Sequence, residues 1–477
     1  MITLLLPALL VLHQASASSF PWPGPSPTVE GQFSRFAVTT DHTTCAQIGK
    51  DVLSWGGNAA DAAVASLFCL GVMNPLSSGL GGGFLMTLYT AGTGRCIAID
   101  AREAAPSAAS ERMFVNDPYG SRYGYRSIAV PSELAGTWEV FRRYGSGRIS
   151  WGQLLQPTIR LLQDGIVADL AGYRVRIHDY ALEADMGHGL SICGGPPPSG
   201  FAATQLIVSL MSEDPHVYHR LIEAMKFAFA QRGHMGDTSY VPAAASLSHR
   251  LVSRSFLDSV LRRMSDRAMP SYLYDSSARA AREDHGTSHV AVLDEAGNAV
   301  SVTSTINLRF GSLVVSPSLG ILWNDEMDDF STPGESNSFG LPPAERNFIA
   351  PGKRPMSSMS PLVVFDRSTR KVRMVAGASG GSTIISSLAQ VVTRALVFGE
   401  DVKKASDAPR FHNQFSPFVT KFEQPFPADL VYELSTFGQS LSPSFDFGVV
   451  QAITVDEGKI KAVGDFRRST NQLPGGY

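Results

Sequence analysis

The sequence is poor in cysteine, with four cysteines among 477 residues. So few cysteines exclude a scaffold built mainly from disulfides, and none of them forms a Cys-x-x-Cys pair. The cysteines and histidines also lack metal-ligand spacing, so the sequence predicts no metal site. Cys45 and Cys69 fall on two consecutive predicted helices and could form a bridge in an oxidising compartment. For Cys96 and Cys193 we expect buried, small apolar side chains.

A strong charge imbalance is also missing, because the formal net charge is -3 and no long run of like charge occurs. This argues against nucleic acid or an anionic membrane as a partner. The chain also has no Asn-x-Ser/Thr sequence, so N-linked glycans are not expected.

Long apolar runs are absent too, and no stretch is long enough to cross a bilayer. The short apolar run from Ile2 to Leu12 is followed by Gln14-Ala15-Ser16-Ala17, whose small-x-small form is typical of a secretory cleavage site. We therefore predict a signal peptide at 1–17, a spacer at 18–35 and a secreted protein. Attachment to the extracellular side of the plasma membrane is the alternative.

Helix and strand patterns follow one another in blocks. The first helix is expected to begin with Thr43 or Thr44 as its cap and to end at Gly56-Gly57. Asn58 is expected to cap a second helix that runs to Leu70. A strand hairpin is predicted at 84–89 and 96–100. Later helices are predicted at 133–144, 151–164, 216–231 and 382–397, and later strands at 288–293, 299–307, 362–366, 372–376, 449–456 and 460–466. Strand runs flanked by helix runs predict a layered α+β fold.

The glycine-rich loop from Ser77 to Gly83 resembles a phosphate-binding loop only superficially, since no Lys-Ser/Thr pair follows it. Its glycines are expected to allow close approach of backbones instead.

A glycine-threonine step at Gly286 and Thr287 opens an alternating strand deep inside the sequence. Cleavage before Thr287 would give one residue that carries both a hydroxyl nucleophile and an α-amino base. An α-amino group titrates near ~7.7 to 8.0, against ~10.4 for an ordinary lysine, so it is a usable base at neutral pH. Most Gly-Thr pairs are ordinary junctions between a turn and a strand. The surroundings of Thr287 therefore decide its interpretation.

Three downstream segments carry groups suited to binding a small molecule. The acidic segment 323–330 suits a substrate ammonium and lacks the order and the glycine of an EF-hand loop. The loops 351–359 and 377–383 are rich in hydroxyls and exposed amides, and the second ends at a helix start, where N–H groups can bind an oxyanion. Alternation also places four polar residues on one face of a strand, which could equally be solvated: Ser301, Thr303, Thr305 and Asn307.

Together these segments resemble the gamma-glutamyltransferase (glutathione hydrolase) family of N-terminal nucleophile hydrolases. The resemblance covers most of the chain and is carried by Gly286-Thr287-Ser288-His289, Thr303 to Asn307, Asn324 to Ser331 and Pro351 to Met359. It implies a four-layer αββα sandwich, made as a proenzyme and cut between Gly286 and Thr287. Residues 36–286 would form the large-subunit region and residues 287–477 the small-subunit region.

The resemblance also implies roles for individual residues. Thr287 would be the nucleophile and its amine the base, while the Thr305 hydroxyl would hydrogen-bond and orient Thr287. In a γ-glutamyl substrate such as glutathione, the α-carboxylate would be bound by Arg102, Ser357 and Ser358. The α-ammonium would be bound by Asn307, Glu326 and Asp329, and the oxyanion by the amides of Gly380 and Gly381. No cofactor is implied, and the γ-glutamyl group would pass to water or to an amino acid or dipeptide.

Arg102 also has a simpler interpretation. Taken alone, it would be expected to form a salt bridge with Glu103 or with the acidic segment.

The chain departs from the family in its large-subunit region, which is short. A helix expected near Leu182 runs almost directly into the segment 193–200, so a block of helices is missing near 185–193. Deleting packed helices would expose apolar surface unless neighbouring elements closed the gap. The missing block favours an alternative function, that of an uncleaved, catalytically inactive secreted relative that acts as a binding or decoy protein. The intact nucleophile and substrate-binding positions favour the enzyme.

Overall fold

The computed structural model describes residues 23–162, 175–178, 180–213, 218–279, 286–335, 342–424, 426–468 and 472–477. The predicted signal peptide, 1–17, lies outside the described residues. Within these ranges no helix is both long enough and apolar enough to cross a membrane.

The helices of the described residues alternate with strands along the chain. Their bounds are α1 Thr43–Ser54, α2 Ala59–Met73, α3 Glu133–Tyr144, α4 Trp151–Leu162, α5 Phe201–Glu213, α6 Tyr218–Arg232, α7 Pro242–Leu251, α8 Arg254–Leu261, α9 Thr383–Val392, α10 Val402–Asp407 and α11 Ala428–Thr436.

Side-chain caps fix the beginnings of the first two helices. Asn58 caps α2 as predicted, because its side chain accepts from the backbone N–H groups of Ala60 and Asp61. His42 caps α1 instead of Thr43 or Thr44, since its side chain accepts from the backbone N–H of Thr44. Sequence alone did not identify this cap, because histidine is an uncommon residue at such a position.

Most strands of the described residues belong to two sheets. Their bounds are β1 Gly31–Phe33, β2 Ala37–Thr40, β3 Gly83–Thr90, β4 Arg95–Ala101, β5 Arg176–His178, β6 Leu182–Asp185, β7 Leu190–Gly194, β8 Thr287–Leu293, β9 Ala299–Thr305, β10 Leu362–Asp366, β11 Val372–Ser379, β12 Phe411–His412, β13 Thr420–Glu423, β14 Leu441–Ser444, β15 Val449–Asp456, β16 Lys459–Val463 and β17 Gly475–Gly476. Strand β1 lies inside the segment 18–35 that was predicted as a spacer.

The two sheets pack face to face. The first has the strand order β17-β2-β8-β9-β3-β4-β5 and the second the order β1-β16-β15-β11-β10-β7-β6. Strands β8 and β9 of the first sheet contact β11 of the second. Helices α1, α2 and α3 pack on the outside of the first sheet, and α5 and α9 on the outside of the second. The predicted four-layer αββα sandwich is confirmed.

Both sheets interleave strands from before and after the bond between Gly286 and Thr287. In the first sheet, β8 lies between β2 and β9, and β9 pairs with β3. In the second sheet, β16 pairs with β1 and β10 pairs with β7. The two regions of the chain are therefore joined by main-chain hydrogen bonds along several strand borders.

The segment around Leu182 is a strand, so the helix expected there was wrong. Strand β6 pairs with β7 at the edge of the second sheet. The side chains of Leu182 and Ala184 are buried in the core with those of α5, and the alternate residues Glu183 and Asp185 are exposed. This alternation of apolar and acidic residues is typical of a half-buried strand, although four residues make it a weak signal. The hairpin covers this part of the core.

Two disulfides connect elements of the sandwich. Cys45 and Cys69 form the predicted bridge between α1 and α2. Cys96 and Cys193 also form a bridge, which joins β4 to β7 and therefore one sheet to the other. The expectation of unpaired, small apolar side chains at these two positions was wrong. Because they lie 97 residues apart, only the packing of the sheets brings them together.

Candidate active site

Thr287 begins strand β8 and is buried between the sheets, with 5% of its surface exposed. It pairs in register with Thr305 at the end of β9. The polar face of β9 is turned toward the second sheet, because Ser301 donates a hydrogen bond to the carbonyl oxygen of Ala376 on β11. Ser301, Thr303 and Thr305 therefore lie on a strand face that is buried rather than solvated. The prediction was wrong for Asn307, because β9 ends at Thr305 and Asn307 has a φ of +69°.

The Thr305 hydroxyl contacts the peptide bond before Thr287. Its Oγ1 donates to the carbonyl oxygen of Gly286 over 2.6 Å and accepts from the backbone N–H of Asn307 over 2.8 Å. The sequence-based interpretation gave Thr287 itself as the partner, and in the uncut chain the partner is the preceding carbonyl. The interpretation differed because it described the cleaved form, in which Gly286 is no longer joined to Thr287.

Gly286 has a conformation that suits glycine. Its φ is +77°, and an added Cβ would lie 2.2 Å from the carbonyl oxygen of Asn307. A larger residue at this position would displace the bond that precedes Thr287.

The glycine-rich turn after β11 contacts the Thr287 side chain directly. The backbone N–H of Gly380 donates to Oγ1 of Thr287 over 3.0 Å. Gly380 and Gly381 have φ values of +123° and +59°, and helix α9 begins two residues later, at Thr383. The backbone of this turn therefore lies next to the place that an acyl group bound to Oγ1 of Thr287 would occupy.

The helix that follows this turn differs from the prediction at its end. A single helix was expected over 382–397, whereas α9 ends at Val392 and a π-helical turn occupies Thr393–Val397.

Arg102 forms a buried ion cluster with the acidic segment. Its Nη1 lies 2.5 Å from Oε1 of Glu326, its Nη2 is bound to a carboxylate oxygen of Asp329, and Nη1 lies 3.6 Å from Oε2 of Glu103. The simple salt bridge expected for Arg102 is therefore present. It involves two of the carboxylates assigned above to the substrate ammonium.

Burial raises the pKa values of two acids in this cluster. The loss of water raises the pKa of Glu326 well above its ordinary value, and Arg102 opposes this shift. The pKa of Glu103 is raised to about 7 for the same reason, again opposed by Arg102.

Asn307 connects Thr305 to the acidic segment 323–330. Its main chain contacts Thr305, and its side-chain Nδ2 donates to the carbonyl oxygen of Asp325 over 3.2 Å. Its Oδ1 is buried, and within the part of the chain that the structure describes it has no hydrogen-bond partner. The side chain of Asp325 accepts from the backbone N–H of Leu308 over 2.9 Å, and burial raises its pKa to about 8.

The loop with Ser357 and Ser358 lies against Arg102. The guanidinium Nη2 of Arg102 donates to the carbonyl oxygen of Met356 over 3.3 Å, just before the two serines. Both serines are buried. The Oγ of Ser357 accepts from the backbone N–H of Met359 over 3.1 Å, and the Oγ of Ser358 accepts from Nη2 of Arg232 over 2.9 Å.

Sequence reasoning missed three charged residues next to the predicted site. Arg232, at the end of α6, contacts Ser358. Nη2 of Arg468 donates to the carbonyl oxygen of Thr287 and to Oγ of Ser379, each over 3.1 Å, and it forms an ion pair with Asp41. All three are far from their partners in sequence. Arg232 lies at the end of a predicted helix, but no local pattern indicates that it contacts Ser358.

The glycine-rich loop is confirmed as a place of close backbone approach. An added Cβ at Gly82 would lie 1.9 Å from the carbonyl oxygen of Thr305, and one at Gly81 would lie 2.0 Å from that of Leu322. The loop therefore packs against the end of β9.

A family model described as gamma-glutamyltranspeptidase matches residues 45–168 and 167–475. The chain belongs to the gamma-glutamyltranspeptidase family. It is accordingly an enzyme of the γ-glutamyl hydrolase and acyltransferase class.

Curated relatives and solved structures agree with this membership. The chain is 32% identical to scoloptoxin SSD14 of Scolopendra dehaani over 93% of each chain. It is 33% identical to glutathione hydrolase 3 of Arabidopsis thaliana over 81% of this chain and 74% of the relative. The crystal structure of cephalosporin acylase from Bacillus halodurans superimposes with a TM-score of 0.79, at 20% identity, over 96% of this chain and 98% of the acylase. The acylase shows that the fold is shared.

The comparison also bears on the expected shortening of the large-subunit region. The alignment with scoloptoxin SSD14 spans 540 positions, more than the 477 residues of the chain, so the relative has residues without a counterpart here. The family match is broken at 167–168, and its second segment runs across 185–193, where we expected the shortening.

Proposed function

We propose that the chain is a self-processing proenzyme that cuts itself between Gly286 and Thr287 and then acts on glutathione and other γ-glutamyl amides. The observation that carries this proposal is the pair of contacts around one peptide bond. Thr305 donates to the carbonyl oxygen of Gly286, and the Gly380 amide donates to Oγ1 of Thr287. The first contact polarises the carbonyl to be attacked, and the second holds the attacking oxygen.

Self-cleavage would follow from this geometry. Oγ1 of Thr287 attacks the carbonyl carbon of Gly286, the hydroxyl proton is transferred to the departing nitrogen, and the amide becomes an ester. Water then hydrolyses the ester, which leaves a carboxylate on Gly286 and a free amine and hydroxyl on Thr287. Enforced proximity of the reacting atoms can supply ~7 to 11 kcal/mol of the barrier.

In the mature enzyme, the Thr287 amine would act as the base toward its own hydroxyl. Oγ1 attacks the γ-carbonyl of the substrate, the leaving amine takes the proton, and the γ-glutamyl group stays on Thr287 as an ester. Water, an amino acid or a dipeptide then accepts this group. The amides of Gly380 and Gly381 would stabilise the oxyanion in both steps.

The Arg102 cluster supports recognition of a zwitterion. The α-carboxylate of the substrate would bind Arg102, Ser357 and Ser358, and its α-ammonium would bind Asn307, Glu326 and Asp329. Arg102 pairs with Glu326 and Asp329 in the structure. A zwitterion can replace this pairing without leaving an unpaired buried charge, whereas a singly charged ligand cannot. The unpartnered, buried Oδ1 of Asn307 is an acceptor suited to the ammonium.

Secretion is part of the proposal, with attachment to the outer face of the plasma membrane as its alternative. The two disulfides support an oxidising compartment.

The test combines denaturing electrophoresis, mass determination and release of aniline from L-γ-glutamyl anilide. The wild-type protein is expected to give two chains, one ending at Gly286 and one beginning at Thr287, and to release aniline. Thr287→Ala is expected to give one full-length chain and no release. A single wild-type chain without release would overturn the proposal and favour the uncleaved binding or decoy protein.

A further inference from the structure

Arg309 is an exposed cation next to the peptide bond that Thr287 would attack. An added Cβ at Gly286 would lie 3.4 Å from the carbonyl carbon of Leu308, and this carbon is bonded to the backbone nitrogen of Arg309. Arg309 itself is exposed to solvent. No ion pair or side-chain hydrogen bond joins its guanidinium to another of the described residues. The loop after β9 therefore carries an unpaired positive charge beside the acyl side of that bond.

The backbone on both sides of Arg309 is held in an unusual conformation. Asn307 and Phe310 have φ values of +69° and +63°, in a region that residues other than glycine seldom adopt. The backbone N–H of Leu308 donates to Oδ1 of Asp325 over 2.9 Å, which ties the loop to the acidic segment. Strained backbone of this kind is found mainly at binding and active sites, where the surrounding structure maintains it. The loop therefore fixes the place at which the Arg309 side chain leaves the main chain.

The acids near this loop do not neutralise Arg309. Burial raises the pKa of Asp325 to about 8, so most of this carboxyl is protonated at neutral pH. Glu326 and Asp329 pair with Arg102 in the interior. A guanidinium keeps its proton at every pH at which proteins are folded. Arg309 is therefore a full positive charge that can pair with an anion from solution.

Glutathione carries a second carboxylate, on the part of the molecule that leaves. The leaving group is cysteinylglycine, and its terminal carboxylate lies two residues beyond the cleaved amide. Two extended residues span at most ~7 Å, a distance that a long side chain next to the scissile bond can also cover. Guanidinium and carboxylate groups form paired, charge-assisted hydrogen bonds. Since Arg102 is assigned to the α-carboxylate, Arg309 is left for the carboxylate at the other end.

We propose that Arg309 is a specificity-determining residue that binds the carboxylate of the leaving group, which in glutathione is the glycine carboxylate. It thereby favours γ-glutamyl peptides over γ-glutamyl amides whose leaving group is uncharged. This inference rests on the proposed γ-glutamyl function. It adds an anion subsite for the side of the substrate that departs.

The experiment measures KM and kcat for the release of glutamate from two substrates. They are glutathione and an analogue in which the glycine carboxylate is a carboxamide. The proteins are the wild type, Arg309→Gln, Arg309→Lys and Arg309→Glu. Thermal midpoints and the fraction of cleaved chain are recorded for each protein.

Arg95→Gln is the matched control. Arg95 is likewise exposed, and its guanidinium has no partner among the residues that the structure describes. It pairs in register with Thr90 at one end of β3, whereas Gly83 at the other end of β3 pairs with Thr305. The control therefore removes an equivalent charge from the opposite end of the same sheet.

Arg309→Gln is expected to lower kcat/KM for glutathione by about fivefold, the upper end for an exposed ion pair, chiefly through KM. The values for the carboxamide should change little, because the γ-glutamyl end is bound by other residues. Arg309→Lys keeps the charge and should retain most of the preference. Arg309→Glu should lose more than Arg309→Gln, and only on glutathione. Arg95→Gln should match the wild type.

Salt provides a second measurement, on the wild type itself. Exposed ion pairs are screened by salt, so the preference for glutathione over the carboxamide should shrink as ionic strength rises. The formal net charge of -3 repels anions at long range, so a general attraction of the protein for anions cannot produce this preference.

Equal effects of Arg309→Gln on the two substrates, or a matching loss in Arg95→Gln, would overturn the inference. Should the Arg309 variants fail to mature, the wild type decides, since a preference that does not change with salt contradicts an exposed ion pair. A wild-type protein that releases glutamate from neither substrate contradicts both the proposed function and the inference. An active wild type whose preference is unchanged by Arg309→Gln and Arg309→Glu contradicts only the inference.

Discussion

The hydroxyl oxygen of Thr305 lies 2.6 Å from the carbonyl oxygen of Gly286, so the peptide bond before Thr287 carries a side-chain donor on its oxygen. Thr305→Ala removes this donor and is expected to slow precursor cleavage by ~10² or more, the usual cost of one lost oxyanion donor. The time course of small-subunit appearance in purified precursor measures the effect. Thr305→Ser keeps the hydroxyl and is the control. Equal cleavage rates for the alanine and serine variants would contradict the assignment.

Gly380→Ala should impair both maturation and turnover. The new Cβ would lie 2.8 Å from Cα of Gly448, so the turn must shift, and with it the amide that contacts Thr287. We expect kcat to fall by ~10² to 10³. Gly458→Ala is a matched control, because Gly458 also has a positive φ and nothing lies within 4 Å of its added Cβ. If both variants lose the same activity, backbone strain rather than the position of the Gly380 amide explains the loss.

The mature subunits should separate on electrophoresis without a reducing agent. All four cysteines precede Gly286 and pair among themselves, so no disulfide crosses the cleavage site. Two bands are therefore expected in denaturant with or without reductant. A single band of full mass under both conditions would contradict cleavage between Gly286 and Thr287.

Asp325→Asn should remove a pH dependence of stability. Burial raises the pKa of Asp325 from 3.8 to about 8 in the folded chain. An unfolded chain loses this proton near pH 4 and the folded chain near pH 8, so the stability that depends on it is lost as the pH rises between these values. We expect the asparagine variant to gain in thermal midpoint over its parent from pH 5 to pH 8.

Measuring this effect in the Thr287→Ala background keeps all molecules uncut. Asp429→Asn, which changes an exposed residue of α11, is the control and should follow its parent at every pH. A constant difference between Asp325→Asn and its parent over this range would contradict the raised pKa.

Strongly patterned elements could be predicted from the sequence. The bounds expected for the helix at 133–144 and for the strands at 362–366 and 449–456 agree with α3, β10 and β15. Helix α5 was missed because it is apolar on nearly all sides, so its residues lack the period that distinguishes a surface helix. Strands β5 to β7 were missed because three to five residues are too few to show an alternation.

The site could be predicted only where its residues lie in recognisable segments. Thr287, Thr305 and Gly380 come together as the resemblance implied, although the roles assigned to them stay predictions. The partner of Thr305 could not be predicted, because it depends on whether the chain is cut. Arg232 and Arg468 could not be found, since their contacts join elements that are far apart in sequence.

The interleaved strands have a consequence for the lifetime of the enzyme. An uncut precursor that unfolds can refold as one chain, at a rate independent of its concentration. Once the chain is severed, neither fragment holds a complete sheet, because β8 lies between β2 and β9, and β10 pairs with β7. Refolding would then be a bimolecular reaction between two different polypeptides, so its rate would fall as the protein is diluted. The persistence of the matured protein would therefore depend on a slow rate of unfolding rather than on its equilibrium stability.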